Sequence, residues 1–418
     1  MSSLVIKGGQ KLSGSIRVAG MKNAVLPLMA ACLLTDEECV LENVPKIKDV
    51  ETFVDLFKAL GVETSWRDHI LRVSAKGLHT THPDSGLVRK MRASVLLMGA
   101  LLARLGRVTM PYPGGDVIGA RPIDIHLRGF RKLGAQVKEG RTDFSISGKL
   151  KGTKIVMRLP SVLGTENLLL AAVLAEGTTI IKPCAAEPHV QELANFLNKM
   201  GAKISGIGSY ELRVEGVPRL HGARHDIIPD QVEAGTFAVL GAATRSEIEV
   251  QNIVPDHLDN VLERFEEMGV SFEVSKSNLY IKKPKEIYRA AIIQTGYFPQ
   301  HIPSDLQPPF ALLATQAKGT SLIHDPVFEG RLGYVNELIK MGANAIIADP
   351  HRALITGPTP LYGTEINGLD IRAGITLVIA GLVADGKTTI ADADHIDRGY
   401  EGVEERLRAL GATIERIP

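Results

Sequence analysis

Lys22 with Asn23, Arg92, Asp305 and Arg372 each stand just before a long apolar run. A helix N-terminus carries roughly half a positive charge and free N–H groups. Asp, Ser or Thr suits that place, and Lys or Arg is mildly repelled there. Three cations at equivalent places make sense if an anion binds beside them, because helix N-termini are ready anion sites. The alternative is a solvated cation, or one paired with a neighbouring carboxylate. A second charged set lies in loops. Asp116 and Arg121 occur in PYPGGDVIGARPID, Arg331 in VFEGRLGY and Arg398 in HIDRGYE. Converging on one cleft, Lys22, Arg92, Arg121, Arg331, Arg372 and Arg398 would hold a multiply anionic ligand, such as phosphate with carboxylate or a diphosphate. Asp116 and Asp305 would then supply acid and base. No metal-ligand spacing appears, and guanidinium groups can neutralise a phosphate by themselves. The segment 111–122 places Gly114, Gly115 and Gly119 between prolines. It reads as a hinged lid that closes over substrate, with an ordinary surface turn as the alternative.

The elements that must position these residues recur along the chain. FKALGVET, FRKLGAQV, FLNKMGAKI, FEEMGVSF, LIKMGANAI and LRALGATI share one pattern, and their glycines are Gly61, Gly134, Gly201, Gly269, Gly342 and Gly411. Neighbouring glycines lie 67 to 73 residues apart. Each is expected to end an amphipathic helix, where a left-handed cap favours a residue without Cβ. An almost wholly apolar helix precedes each copy: NAVLPLMAACLL, ASVLLMGALLARL, ENLLLAAVLA, EAGTFAVLGAA, PPFALLATQA and AGITLVIAGLVA. A helix apolar on all sides belongs inside a core. Each unit of about 70 residues therefore reads as apolar helix, strand, loop, amphipathic helix, glycine cap and strand. Six such units suggest two lobes of three, with sheets outside and apolar helices inside. Their boundary is expected around Pro218–Pro229, giving one lobe over 22–229 and another over 1–21 plus 230–418.

Composition narrows the function class. The 418 residues carry 48 basic and 47 acidic side chains, so a general nucleic-acid binder with its basic excess is disfavoured. Cys32, Cys39 and Cys184 are too few and too scattered for a disulfide framework or metal knot. Apolar runs such as 93–103 are well short of the ~18 residues of a membrane span. MSSLVIKGGQ has no apolar signal-peptide core. The expectation is a soluble, cytoplasmic protein without nucleic-acid or membrane partners. His126, His395 and Trp66 read as packing residues rather than catalysts.

Together these motifs resemble the UDP-N-acetylglucosamine 1-carboxyvinyltransferases. The resemblance covers nearly the whole chain and rests on Lys22-Asn23-Ala24, Met91-Arg92-Ala93-Ser94, GGDVIGARPID (114–124), Pro303-Ser304-Asp305, VFEGR (327–331), LDIRAG (369–374) and HIDRGYE (395–401). It implies an α/β fold, a two-lobed inside-out α/β barrel with three repeats per lobe and an active site in the cleft. It implies transfer of enolpyruvyl from phosphoenolpyruvate to the sugar 3′-hydroxyl, with release of phosphate and no cofactor or metal, as the first committed step toward peptidoglycan. Lys22, Arg121 and Arg398 would hold the phosphate, and Arg331 and Arg372 the carboxylate. Asp305 would act as general base. Asn23, Pro122, Asp124, Ser161, Val162, Gly164 and Val327 would meet the nucleotide sugar together with Arg121 and Asp305, and Arg92 would support the lid.

Four departures from the family pattern stand out. Asp116 occupies the place of the lid cysteine that protonates phosphoenolpyruvate and is alkylated by fosfomycin, so insensitivity to that drug is expected. An Asp titrates near 3.9 and a Cys near 8.5 in isolation, so burial under the lid would be needed to make Asp116 a donor. Gln231 replaces an Arg, Leu163 interrupts the Ser-Val-Gly-Ala-Thr-Glu-Asn pattern, and YFPQHIPSDLQ (297–307) strays from the family's Tyr-Pro-Gly-Phe-Pro-Thr-Asp version. These three touch the acceptor side. They keep open an enolpyruvyl transferase acting on another uridine nucleotide, and loss of the Cys keeps open a non-catalytic nucleotide-sugar binder.

Overall fold

In the computed structural model, which describes residues 2–418, the six expected glycine caps are all present. Gly61, Gly134, Gly201, Gly269, Gly342 and Gly411 have φ between 79° and 103°, a region other residues enter only with strain. Each closes an amphipathic helix: Lys48–Leu60, Asp124–Lys132, Pro188–Lys199, Asp259–Met268, Tyr334–Lys340 and Val403–Ala409. The apolar helices are Lys22–Cys32, Leu97–Leu105 with its 3-10 lead-in Arg92–Leu96, Val162–Ala172, Gln231–Ala243, Gln307–Ala314 and Ile371–Val383. Gln231–Ala243 is buried along its whole length, as an all-round apolar helix requires.

The strands exceed the sequence reading. In the third repeat, Lys154–Val156 runs parallel to Thr178–Lys182 through the crossover helix Val162–Ala172. The amphipathic helix then leads into an antiparallel hairpin, Lys203–Ser205 with Leu212–Glu215, whose second strand pairs with Thr178–Lys182. Four strands thus replace the expected two. The added strands are short and face solvent on one side, so they leave little apolar pattern. Among the described residues, five of the six sheets have this four-stranded form. The sixth, Arg107–Pro111, Asp143–Ser147 and Gln136–Glu139, lacks the parallel edge strand.

The chain forms two compact units. One comprises Gly20–Asp116 and Arg121–Ile228. Its last strand, Arg224–Asp226, lies parallel to its first, Cys39–Glu42, with Arg224 opposite Val40. The other comprises Pro229–Pro418, the N-terminal segment through Ala19, and Val117–Ala120. There Ser3–Lys7 lies between Lys387–Ala391 and Thr413–Ile417, antiparallel to both. Ser13–Arg17 forms the parallel edge of the sheet containing Glu247–Gln251. Buried Glu233 ties these pieces. It accepts from the Ala19 N–H at 2.7 Å and pairs with Arg406 at 2.6 Å, and Arg406 also donates to the Arg17 carbonyl. Each unit has its own apolar core. Among the described residues no helix is long and apolar enough to cross a membrane.

Candidate active site

Asp305 lies in the 3-10 turn Ser304–Leu306, directly ahead of the apolar helix Gln307–Ala314. Its Oδ1 accepts from Arg331 Nη2 at 2.6 Å, and its Oδ2 pairs with Arg372 Nη2 at 3.1 Å. Arg331 starts the turn before Tyr334–Lys340. Arg372 is the second residue of Ile371–Val383, whose first N–H groups bond to Asp370 at 2.8 and 3.1 Å. The Arg372 guanidinium sits over the Tyr400 ring at 5.2 Å, and the Tyr400 hydroxyl lies 3.1 Å from Thr236 Oγ1.

Both guanidinium groups are buried, with side chains 2% and 5% exposed. Burial alone would depress their pKa values. For Arg331 the carboxylates of Asp305, Asp370 and Asp325 outweigh it and hold the group above its usual value. For Arg372 burial is outweighed by Tyr400, Asp305 and Asp230. Arg331 Nε and Arg372 Nη1 are nevertheless buried without a hydrogen-bond partner. So is Gln307 Nε2, whose Oε1 accepts from the Tyr334 hydroxyl at 3.0 Å. Leaving such donors unmet is costly, and an anionic oxygen is the group that would satisfy two guanidinium N–H groups at once. Arg398 ends the 3-10 helix Ala393–Arg398 and is half-buried, as is Val327, whose N–H donates to Asp325 at 3.0 Å.

In the other unit, Lys22 opens Lys22–Cys32 and Arg92 opens Arg92–Leu96, and neither helix has a side-chain cap. Ser161, Asp230 and Asp370 do cap three of the other apolar helices. Lys22 pairs with buried Asp49 at 2.9 Å. Arg92 has no carboxylate partner among the described residues. Its Nη2 donates to the Pro122 carbonyl at 3.3 Å, and its Nε is buried and unpartnered. Burial and then the Arg121 charge bring its pKa down to about 10. His126, also buried, is held down to about 3 by burial and by Arg92. Its Nδ1 lies 3.1 Å from the Asn167 amide nitrogen, so the ring is a neutral packing group. Ser161 Oγ accepts from the Gly164 N–H at 3.2 Å. Asn23 and Val162 are half-buried, and Pro122 and Asp124 are exposed.

The loop after Arg107–Pro111 carries Asp116. A Cβ on Gly114 would run into the Arg89 carbonyl, and one on Gly115 would come 2.8 Å from Arg92 Cβ. Only glycine lets the loop lie so close. Asp116 is half-buried.

Within one unit, then, the fold brings Asp305, Arg331 and Arg372 into contact. Within the other it sets Arg92 beside Pro122 and within reach of the Arg121 charge. The sequence reading overlooked Asp49, Asp230, Asp370 and Tyr400. Asp230 and Asp370 carried a signal, since each stands at the cap position of an apolar run. Among the described residues no group of three or more His, Cys, Asp or Glu is placed to hold a metal ion.

Comparison with known proteins agrees with this architecture. The family described as EPSP synthase (3-phosphoshikimate 1-carboxyvinyltransferase) matches residues 6–407. A UDP-N-acetylglucosamine 1-carboxyvinyltransferase of Koribacter versatilis is 44% identical, over 100% of this chain and 97% of that protein. UDP-N-acetylglucosamine 1-carboxyvinyltransferase 2 of Bacillus subtilis is 41% identical, again over 100% and 97%. The crystal structure of the enolpyruvyl transferase NikO from Streptomyces tendae superposes with a TM-score of 0.91 at 24% identity, covering 100% of both chains. EPSP synthase from Acinetobacter baumannii gives 0.76 at 20% identity, also over 100% of both. The fold is that of the enolpyruvyl transferases, and the chain belongs to the EPSP synthase family, alongside the UDP-N-acetylglucosamine 1-carboxyvinyltransferases.

Proposed function

We propose that the protein transfers the enolpyruvyl group of phosphoenolpyruvate to the 3′-hydroxyl of UDP-N-acetylglucosamine and releases phosphate, in the cytoplasm, as the first committed step of peptidoglycan synthesis. The observation that carries this reading is the Asp305 cluster. Two buried guanidinium groups grip one carboxylate, and each keeps an unpartnered N–H. Relatives bearing the name of that reaction are 41% to 44% identical over the full chain.

In this reading Arg331 and Arg372 turn their unpartnered N–H groups to the carboxylate of phosphoenolpyruvate. Lys22, Arg121 and Arg398 take its phosphate. Asn23, Arg92, Pro122, Asp124, Ser161, Val162, Gly164 and Val327 serve the nucleotide sugar, with Arg121 and Asp305. Asp305 removes the 3′-hydroxyl proton as that oxygen bonds to C2. The double-bond electron pair takes a proton from Asp116 at C3, giving a tetrahedral ketal. Asp116, now a carboxylate, takes a C3 proton back, the C–H electrons restore the double bond, and the C2–O bond to phosphate breaks with its electrons leaving on phosphate.

The test is phosphate release from phosphoenolpyruvate with UDP-N-acetylglucosamine. Turnover is expected in the wild type and a loss of about 10²-fold or more in Asp116→Asn, the contribution typical of a positioned acid. A second reading has one observation behind it. Gln231, which stands where the family pattern has Arg, is buried with an unpartnered Oε1. That polar change favours another uridine nucleotide as acceptor. Binding of phosphoenolpyruvate without turnover of UDP-N-acetylglucosamine would select it.

A further inference from the structure

We infer that Glu329 is a positioning residue that clasps the tip of the 111–122 loop and thereby fixes Asp116 for proton delivery. The inference rests on the role given to Asp116 above. The Ala120 N–H donates to Glu329 Oε1 at 2.6 Å. The next residue reinforces it, because the Gly330 N–H donates to the Ile118 carbonyl at 3.0 Å. Ile118 is only 5% exposed, whereas Val117 beside it is 95% exposed. The tip therefore seats one side chain and leaves its neighbour in solvent.

Two glycines make the approach possible. Gly119 has φ +132°, and a Cβ there would meet the Glu329 carboxylate. A Cβ on Gly330 would lie 2.8 Å from the Ile118 carbonyl carbon. A side chain at Gly330 would push the tip away, and one at Gly119 would displace the Glu329 carboxylate. The Ala120 N–H lowers the pKa of the Glu329 carboxyl, so the clasp is ionised throughout the neutral range. A carboxylate accepting an N–H makes a stronger bond than a neutral acceptor does.

Asp116 lies between two anchored stretches of chain. Gly114 and Gly115 are pressed on Arg89 and Arg92, and Ile118 to Ala120 are held by Glu329 and Gly330. A proton donor on a loop has to be held to within about 0.5 Å, and a 1 Å displacement can cost about 10²-fold in rate. Glu329 is itself exposed, so replacing it leaves both cores untouched.

The experiment combines amide hydrogen exchange of the 112–122 segment with phosphate release, in the full chain, for wild type, Glu329→Ala and Glu329→Gln. In Glu329→Ala the segment is expected to exchange about tenfold faster. There kcat should fall about ten- to a hundredfold, while UDP-N-acetylglucosamine affinity and melting temperature hold. Glu329→Gln, which keeps a neutral acceptor, should recover part of both losses. Unchanged exchange in Glu329→Ala would overturn the clasp. Faster exchange with unchanged kcat would overturn its positioning role. A wild type that releases no phosphate would fault the proposed function instead. In that case the exchange arm still decides the clasp.

Discussion

Around Asp305 two guanidinium groups share one carboxylate, at 2.6 and 3.1 Å. Arg92 is half-buried, feels the like charge of Arg121 and has no carboxylate of its own among the described residues. The first cluster is balanced within the chain, whereas Arg92 has only the Pro122 carbonyl to donate to among the described residues. Their energetics should differ in sign. Removing a member of the balanced cluster strands buried charge, which is strongly destabilising. Removing Arg92 relieves a repulsion and a burial penalty, and the loss should appear in binding.

The largest stability change expected is for Asp305→Ala, which deprives Arg331 and Arg372 of their shared partner. Urea unfolding should show a loss of roughly 3 kcal/mol, and a near-neutral result would erase the contrast. Second is the acid limb of the Arg92 side. Unfolded His126 takes up a proton near pH 6.5, whereas the folded residue does so only near 3. The unfolded state thus binds more protons across that window. Stability should fall by about 1.4 kcal/mol per pH unit as pH drops below 6.5 and return as pH rises. His126→Gln should flatten this slope by about one proton, measured by urea midpoints between pH 6.5 and 5.

Third is Arg92→Ala, for which the stability change should stay within about 0.5 kcal/mol, the range of substitutions away from buried partnerships. UDP-N-acetylglucosamine affinity, by titration calorimetry, should fall about tenfold or more, as for loss of a charge-assisted contact. A stability loss as large as that of Asp305→Ala would show that the two clusters are alike. Smallest in stability is Asp116→Cys, which should leave the fold unaffected while making the protein a target for fosfomycin. Mass spectrometry should find an adduct in this variant and none in the wild type, whose Cys32, Cys39 and Cys184 are buried.

The repeat architecture was legible because its requirements are local. A left-handed cap favours glycine whatever surrounds it, so Gly61 and its five counterparts announced their helices. An all-apolar helix such as Gln231–Ala243 declares its burial by composition. The edge strands were not legible. Lys154–Val156 is three residues long with one buried side chain, too little to show a period. At the site, Lys22, Arg92 and Arg372 drew attention by standing where a helix start disfavours them. Their partners did not, because pairing Lys22 with Asp49 or Arg372 with Asp305 depends on how distant repeats pack. Glu329 stood inside the VFEGR motif, yet nothing there gave it a task, since that task exists only once Ala120 is brought to it.

Ser3–Lys7 is the middle strand of three, flanked by Lys387–Ala391 and Thr413–Ile417. During synthesis it emerges well ahead of these neighbours, which lie roughly 400 residues further along the chain. At roughly 5–20 residues per second it waits about 20 to 80 seconds for them. Meanwhile Leu4 and Ile6, fully buried in the finished fold, have no sheet to enter. The unit containing Gly20–Asp116 and Arg121–Ile228 draws its strands from earlier in the chain and can close during that interval. Closure of the second unit thus waits on strands made far later than Ser3–Lys7, and that waiting strand is a natural client for a chaperone.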